Sequence, residues 1–91
     1  MGDVHKHLSH PAILQRLRRA HGHLASVIAM IEVQRSCREL AQQLHAVEAA
    51  VGAAKRELIH DHIENCLQAS AGPDGEANAA LEELKALTKY L

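Results

Sequence analysis

The chain has almost no aromatic residues. Among its 91 residues there is no Phe and no Trp, and Tyr90 is the single aromatic side chain. The apolar content therefore comes mostly from Ala, Leu, Ile and Val, which let helices pack closely but bury little area in each contact. A core of this kind is marginal for an isolated chain of this length. The composition predicts that the chain associates with copies of itself.

Long apolar runs are also missing. No stretch reaches the roughly 20 residues that a membrane-spanning helix needs, and the polar start of the chain, from Met1 to His7, does not resemble a signal peptide. We therefore expect a cytoplasmic protein without a membrane partner. The sequence contains no Gly-rich phosphate loop and no assignable Ser/His/Asp set. Because thin, Ala-rich helices rarely form a catalytic pocket, we do not expect an enzyme.

Basic residues are scarce in the second part of the chain and concentrated in the first. The formal net charge is −1, yet residues 1–38 carry six basic side chains against two acidic ones, and residues 39–91 carry four against nine. Arg16, Arg18 and Arg19 form the densest basic group. This asymmetry favours a surface that binds a polyanion. The alternative interpretation is a solvated helix face without a partner.

Apolar residues at heptad spacing predict helices. The first helix has them at positions 13, 17, 20, 24, 27 and 31, and a capping box of Ser36 and Glu39 opens the second. A cluster of helix breakers interrupts the pattern at residues 70–75. We predict helices over residues 10–34, 36–69 and 76–90, a linker over 70–75 and a flexible arm over 1–9. No segment alternates like a strand, so the predicted class is all-α, with residues 1–91 forming one domain: an antiparallel helical hairpin followed by a short third helix.

Two cysteines and a histidine on the predicted second helix have the chemistry of metal ligands. His62 and Cys66 are four residues apart and share one helix face. Cys37 would lie about 38 Å from His62 on a straight helix, so only an antiparallel second copy can bring it to the pair. Two thiolates and an imidazole suit trigonal Cu(I) or, with a fourth ligand, Zn(II) or Ni(II). The alternative is a buried Cys beside a solvated His.

The spacing of the two cysteines also limits their redox chemistry. They are 29 residues apart on one predicted helix, which excludes a disulfide within the chain. In a reducing compartment they are more plausible as metal ligands or as reactive thiols.

Several stretches resemble the CsoR/RcnR/FrmR family of small bacterial repressors. They are residues 14–24 (LQRLRRAHGHL), Cys37, residues 42–47 (QQLHAV) and the segment from His62 to Cys66. The resemblance covers nearly the whole chain. It implies a dimer of four-helix-bundle type, built from helical hairpins, that pairs into a disc-like tetramer. It also implies that the protein binds operator DNA without a ligand and releases it when a metal or a reactive small molecule binds.

The resemblance also implies roles for individual residues. Cys37 of one subunit, with His62 and Cys66 of another, matches the ligand pattern of the copper sensors. His5 stands where the nickel and cobalt branch has an N-terminal ligand, and Glu82 lies near the place where copper sensors have a carboxylate behind the histidine. Arg16 and Arg19 match basic positions on the family's DNA face, and Arg18 lies beside them.

Three positions depart from the family pattern. His23 replaces the usual Gln after the glycine, Glu48 replaces a basic residue that many members use for DNA, and Ser36 replaces a Tyr that often precedes the first Cys of copper sensors. The first two bear on how DNA is contacted. The third, together with His5, bears on the choice between copper and nickel.

The leading interpretation is a metal-responsive transcriptional repressor, with Cu(I) ahead of Ni(II) or Co(II) as the inducer. One alternative is a repressor whose thiol reacts with formaldehyde or a persulfide. Aldehyde sensors of the family resemble the chain at Cys37 and His62 but typically lack Cys66, and persulfide sensors lack the histidine. The other alternative is a helical metal buffer without DNA function.

Overall fold

The computed structural model describes the backbone of residues 10–69 and 74–91, and the side chains of all of these except 66–69, 74–78 and 80. Three helices follow one another: α1, His10–Glu32; α2, Cys37–Ala69; and α3, Asp74–Thr88. No strand occurs in these ranges, so the predicted all-α class is confirmed. The predicted arm over residues 1–9 and most of the predicted linker, residues 70–73, lie outside the described part of the chain.

Helix α1 ends two residues earlier than the sequence predicted. Gln34 adopts a left-handed backbone conformation with φ of 61°. The N–H of Arg35 donates to the carbonyl of Met30 and that of Gln34 to the carbonyl of Ile31, both at 3.0 Å. These two bonds form a Schellman motif, which satisfies the last carbonyls of a helix. Because the residue in the left-handed position is Gln and not Gly, the sequence carried no clear signal for this end.

Helix α2 begins one residue later than predicted because Ser36 is its cap. The Glu39 amide donates to Ser36 Oγ at 3.2 Å, which is the N-cap interaction that the sequence predicted. Helix α3 starts and ends two residues before its predicted bounds. Near its end, Thr88 Oγ1 donates to the carbonyl of Lys85 at 2.7 Å. The type and order of all three helices agree with the predictions, and only their ends differ.

Packing divides the described residues into two compact units, one of residues 11–55 and one of His10 with residues 56–69 and 74–91. The prediction of one domain over residues 1–91 stays a prediction. In the first unit, a connection of four residues joins α1 to α2, a length typical of antiparallel neighbours. The hydrogen bond between His23 and Gln43, which lie ten residues before and after position 33, agrees with an antiparallel hairpin.

The core of the first unit follows one set of heptad positions. Ile13, Ala20 and Val27 of α1 are buried at intervals of seven residues, and so are Val47 and Ala54 of α2. In the second unit Ile59 is buried. The buried residues of α1 are among those that the heptad pattern selected, but they occupy only one of the two apolar positions in each heptad.

The other heptad position remains on the surface. Leu17 and Leu24 are each 41% exposed on α1, and Leu44 and Val51 are 44% and 46% exposed on α2. Full burial of an exposed Leu or Val side chain is worth roughly 1.5–3 kcal/mol, and these side chains, less than half exposed, have less than half of that still to gain. The described part of the hairpin thus carries a row of partly exposed apolar side chains on both helices.

Candidate metal centre and nucleic-acid interface

Local hydrogen bonds position Cys37 at the start of α2. It is the first helical residue and its free thiol is exposed. Besides capping the helix, Ser36 donates its hydroxyl hydrogen to Glu39 Oε1 at 3.2 Å. Arg35 Nε donates to the same oxygen at 3.3 Å, and its Nη2 pairs with Glu39 Oε2. This network fixes the turn that presents the thiol to solvent.

The same network changes the titration of its charged members. The hydrogen bond from Arg35 and then the one from Ser36 lower the pKa of the Glu39 carboxyl below its usual value. The hydrogen bond to Glu39 in turn raises the pKa of Arg35. The groups are exposed to water, which screens their charges. The main consequence is that Glu39 stays ionised to lower pH than an ordinary glutamate.

In the second unit, a carboxylate of α3 contacts the imidazole of His62. The Nε2 atom of His62 is enclosed and lies 3.3 Å from Glu83 Oε1. The His62 side chain is 29% exposed and that of Glu83 is 57% exposed. The pair is an ion-pair contact when the imidazole is protonated, and the geometry at Nε2 is not that of a hydrogen bond. The contact places a carboxylate of α3 beside a predicted metal ligand of α2, and in metal sites such a neighbour orients the imidazole.

The residue next to Glu83 has a different partner. Glu82 Oε2 lies 3.8 Å from Lys85 Nζ, and both side chains are largely exposed. Consecutive helical residues differ by about 100° in direction, so the two glutamates do not present the same face. The role of Glu82 behind the histidine stays a prediction, and Glu83 is the carboxylate that contacts His62 in this structure.

The other predicted ligands are described incompletely. Cys66 belongs to α2, but its side chain is outside the described part of the chain, as is the whole of His5. Among the described residues of one chain, no three potential ligands come together. One contact near His62 was not predicted from the sequence. His10 Nε2 lies 3.9 Å from Oδ2 of Asp61, which directly precedes His62 in the chain. The sequence carries no signal for this contact, because the two residues belong to different helices and meet only through packing.

Arg16 and Arg19 lie on one face of α1 and line two grooves in the first unit. One groove, of about 560 Å³, includes Pro11, Ala12 and Gln15. The other, of about 190 Å³, includes Ala20, His23 and Ala50. Arg18 is exposed and lines neither of them; two residues from Arg16, it points about 200° away around the helix. The three predicted DNA-binding arginines thus belong to two different faces.

His23 contributes a contact that the sequence analysis missed. Its Nε2 lies 2.5 Å from Gln43 Oε1 on α2, in a part-buried position. Because the amide oxygen can only accept, Nε2 carries the hydrogen. The sequence marked both residues, one as a departure from the family pattern and the other within a matching stretch, but their proximity depends on how the two helices pack.

The three helices described above define a class of small all-α protein. The chain belongs to the metal-sensitive transcriptional repressors, whose family model matches residues 9–90. This confirms the resemblance drawn from the sequence.

Individual relatives refine this assignment. The chain is 38% identical over 79 residues to the copper-sensing transcriptional repressor CsoR of Mycobacterium ulcerans. The matched region covers 87% of this chain and 67% of that protein. It is 33% identical to CsoR of Bacillus subtilis, with 90% and 86% of the two chains covered. It also resembles the solved structure of the nickel-responsive transcriptional regulator InrS, with a TM-score of 0.80, 31% identity and coverage of 97% and 98%. The match to the CsoR proteins of Mycobacterium tuberculosis and Mycobacterium bovis spans 66% of their length.

Within the described residues, no helix is long and apolar enough to cross a membrane.

Proposed function

We propose that the protein is a cytoplasmic repressor that binds operator DNA in its metal-free form and releases the DNA when a soft transition metal binds. The observation that carries the metal site is the contact between His62 and Glu83, which places a carboxylate of α3 beside the imidazole of the predicted ligand. The repressor role rests on the family to which the chain belongs. Relatives named as copper-sensing and as nickel-responsive support a metal as the inducer.

We assign the metal ligands to two subunits: Cys37 of one, and His62 with Cys66 of the other. The exposed thiol of Cys37 at the start of α2 and the oriented imidazole of His62 fit this role. Two thiolates and one imidazole form a soft, three-coordinate donor set that suits Cu(I). A further nitrogen ligand such as His5 would favour Ni(II) or Co(II). We place Cu(I) ahead because the three ligands suffice for it.

The proposal requires at least a dimer, and we expect a tetramer. The exposed heptad residues of the hairpin, including Leu17, Leu24, Leu44 and Val51, provide an apolar surface that a second copy can cover. Two hairpins packed through these residues would form a four-helix bundle. Antiparallel packing of two α2 helices would bring Cys37 of each subunit towards His62 of the other.

Release of DNA follows from a difference in affinity between two states. Metal binding can shift the protein away from its DNA-binding state only if that state holds the metal less tightly. A coupling of about 1–3 kcal/mol would lower DNA affinity about 5- to 150-fold. The His62–Glu83 contact links a metal ligand of α2 to α3, so it is a direct route by which metal binding can reposition α3.

Anaerobic titration with Cu(I) and with Ni(II), in the presence of a labelled duplex from the promoter of its own gene, tests the proposal. We expect wild type to bind the duplex without metal and to release it with Cu(I). The Cys37→Ala variant should bind the duplex equally well but not release it, whereas His60→Ala, which changes an exposed histidine of α2, should behave as wild type. Normal release by Cys37→Ala would contradict the proposed site. Tight metal binding without any DNA binding would favour a metal buffer.

The exposed thiol of Cys37 also supports a second candidate, a repressor that reacts covalently with formaldehyde or a persulfide. Intact-mass spectrometry after treatment with each reagent distinguishes it. A stable adduct on Cys37 together with release of DNA, in the absence of metal, would favour the covalent sensor.

A further inference from the structure

We propose that the groove lined by Arg16, Arg19 and His23 seats a phosphate group of the operator DNA, and that His23 makes this contact depend on pH. The proposal rests on the proposed function, because it assumes that this face of α1 meets DNA. The proposal adds His23 to Arg16 and Arg19 as a residue that contacts DNA. It also makes DNA affinity depend on proton concentration as well as on metal.

The geometry of α1 brings the three basic side chains together. Positions 16, 19 and 23 fall within an arc of about 60° on a helix with 100° per residue, and all three line the groove of about 190 Å³. The small side chains of Ala20 and Ala50 also line it. Small neutral neighbours leave room for an anion between the cationic groups. A phosphate oxygen is the anionic group that DNA offers to such a site.

The hydrogen bond from His23 to Gln43 determines what the imidazole can do. Because Nε2 donates to Gln43 Oε1, the remaining ring nitrogen is an acceptor in the neutral form and a donor in the protonated form. A phosphate oxygen only accepts hydrogen bonds, so only protonated His23 can donate one to it. The bond to Gln43 persists in both forms and holds the ring in place against α2.

The charges around His23 make proton binding and phosphate binding support each other. From α1, Arg16 and Arg19 supply positive charge at every physiological pH. From α2, Gln43 and Ala50 are neutral, and none of the described residues that line the groove is acidic. A phosphate in the groove favours a third positive charge, and by linkage a third positive charge favours the phosphate. Histidine is the side chain whose charge changes in the range of about pH 5 to 8.

Fluorescence anisotropy with the metal-free full-length protein and a labelled duplex from its own promoter tests this, at about pH 6 and about pH 8. We expect wild type to bind the duplex about five-fold more tightly at the lower pH for each groove in contact with DNA. The slope of log affinity against log salt should also be steeper by about 0.9 at the lower pH. His23→Gln, which keeps an amide able to reach Gln43, should bind with little pH dependence. His23→Arg should bind tightly at both pH values.

His60→Gln is the matched control, since it removes an exposed histidine of α2 that lines neither groove of Arg16 and Arg19. It should keep the pH dependence of wild type. Calorimetry in two buffers of different ionisation enthalpy gives an independent measurement: wild type should take up protons on binding the duplex near neutral pH, and His23→Gln should not.

The outcomes separate this proposal from the function on which it rests. Equal pH dependence and equal proton uptake in wild type and His23→Gln would overturn the role of His23 alone. Unchanged DNA affinity in both Arg16→Ala and Arg19→Ala would remove this face of α1 from the interface and overturn the phosphate seat. Absence of any binding to the duplex would overturn the repressor function and this proposal with it.

Discussion

Replacement of Glu83 by Ala is the sharpest test of how His62 is prepared for a metal. Without metal, the contact at 3.3 Å joins two side chains that are 29% and 57% exposed. Water screens such a pair, so it contributes less than about 1 kcal/mol to stability. We therefore expect Glu83→Ala to fold and to bind DNA almost as wild type does.

The effect on metal binding should be much larger. A carboxylate that holds the other nitrogen of a ligating histidine fixes the ring orientation and the position of its hydrogen, and its removal typically lowers metal affinity 10- to 100-fold. This corresponds to about 1.4–2.7 kcal/mol. Competition with a chromophoric Cu(I) chelator under anaerobic conditions measures the affinity. DNA release measured in parallel shows whether the link between α2 and α3 also carries the response.

Glu82→Ala provides the matched control, because Glu82 lies next in sequence but contacts Lys85. We expect it to change neither Cu(I) affinity nor DNA release appreciably. If instead Glu82→Ala lowers both and Glu83→Ala lowers neither, the metal-bound protein uses Glu82 behind the histidine. The contact with Glu83 would then belong only to the metal-free form.

Five further substitutions test the DNA-binding face, the cap of α2 and the core. Arg16→Ala and Arg19→Ala should each weaken DNA binding and reduce the slope of log affinity against log salt by about 0.9, measured by anisotropy over a salt series. Ser36→Ala should destabilise the protein by about 1 kcal/mol in a denaturant titration, because it removes the cap of α2. The pKa of Glu39 is lowered in the folded protein. Ionised Glu39 therefore stabilises the fold above the usual glutamate range, and this stabilisation is lost as the pH falls through the lowered pKa. Glu39→Gln should remove that part of the acid dependence of the unfolding free energy. Val27→Ala should cost about 2 kcal/mol of unfolding free energy, because Val27 is 1% exposed, and a change below about 0.5 kcal/mol would show that this core position is not tightly packed.

The helices could be predicted from the sequence because their signals are local. Heptad spacing selected Ile13, Ala20 and Val27, which are buried, and Ser36 with Glu39 marked the start of α2. The end of α1 could not be placed in the same way. It depends on Gln34 in a left-handed conformation, which a residue with a Cβ adopts less readily than Gly, so composition alone gave no stop signal.

The contacts of the candidate sites depend on packing between helices, which the sequence pattern does not determine. A shift of one residue along α3 turns a side chain by about 100°, so the sequence could not indicate whether Glu82 or Glu83 reaches His62. The bond between His23 and Gln43 requires a particular alignment of α1 and α2. Residue type therefore indicated which groups have the relevant chemistry, and the structure shows which of the described ones meet.

The central claim is that the metal site is shared between subunits. Complementation between two defective variants is its most direct test. Cys37→Ala and Cys66→Ala are each expected to lose tight Cu(I) binding and metal-dependent release of DNA. When the two variants are unfolded, mixed and refolded together, some oligomers should pair an intact Cys37 of one subunit with intact His62 and Cys66 of the other. We predict that tight Cu(I) binding returns in the mixture. If subunit exchange is demonstrated by mass spectrometry and the mixture still binds no Cu(I) tightly, the site is not shared between subunits.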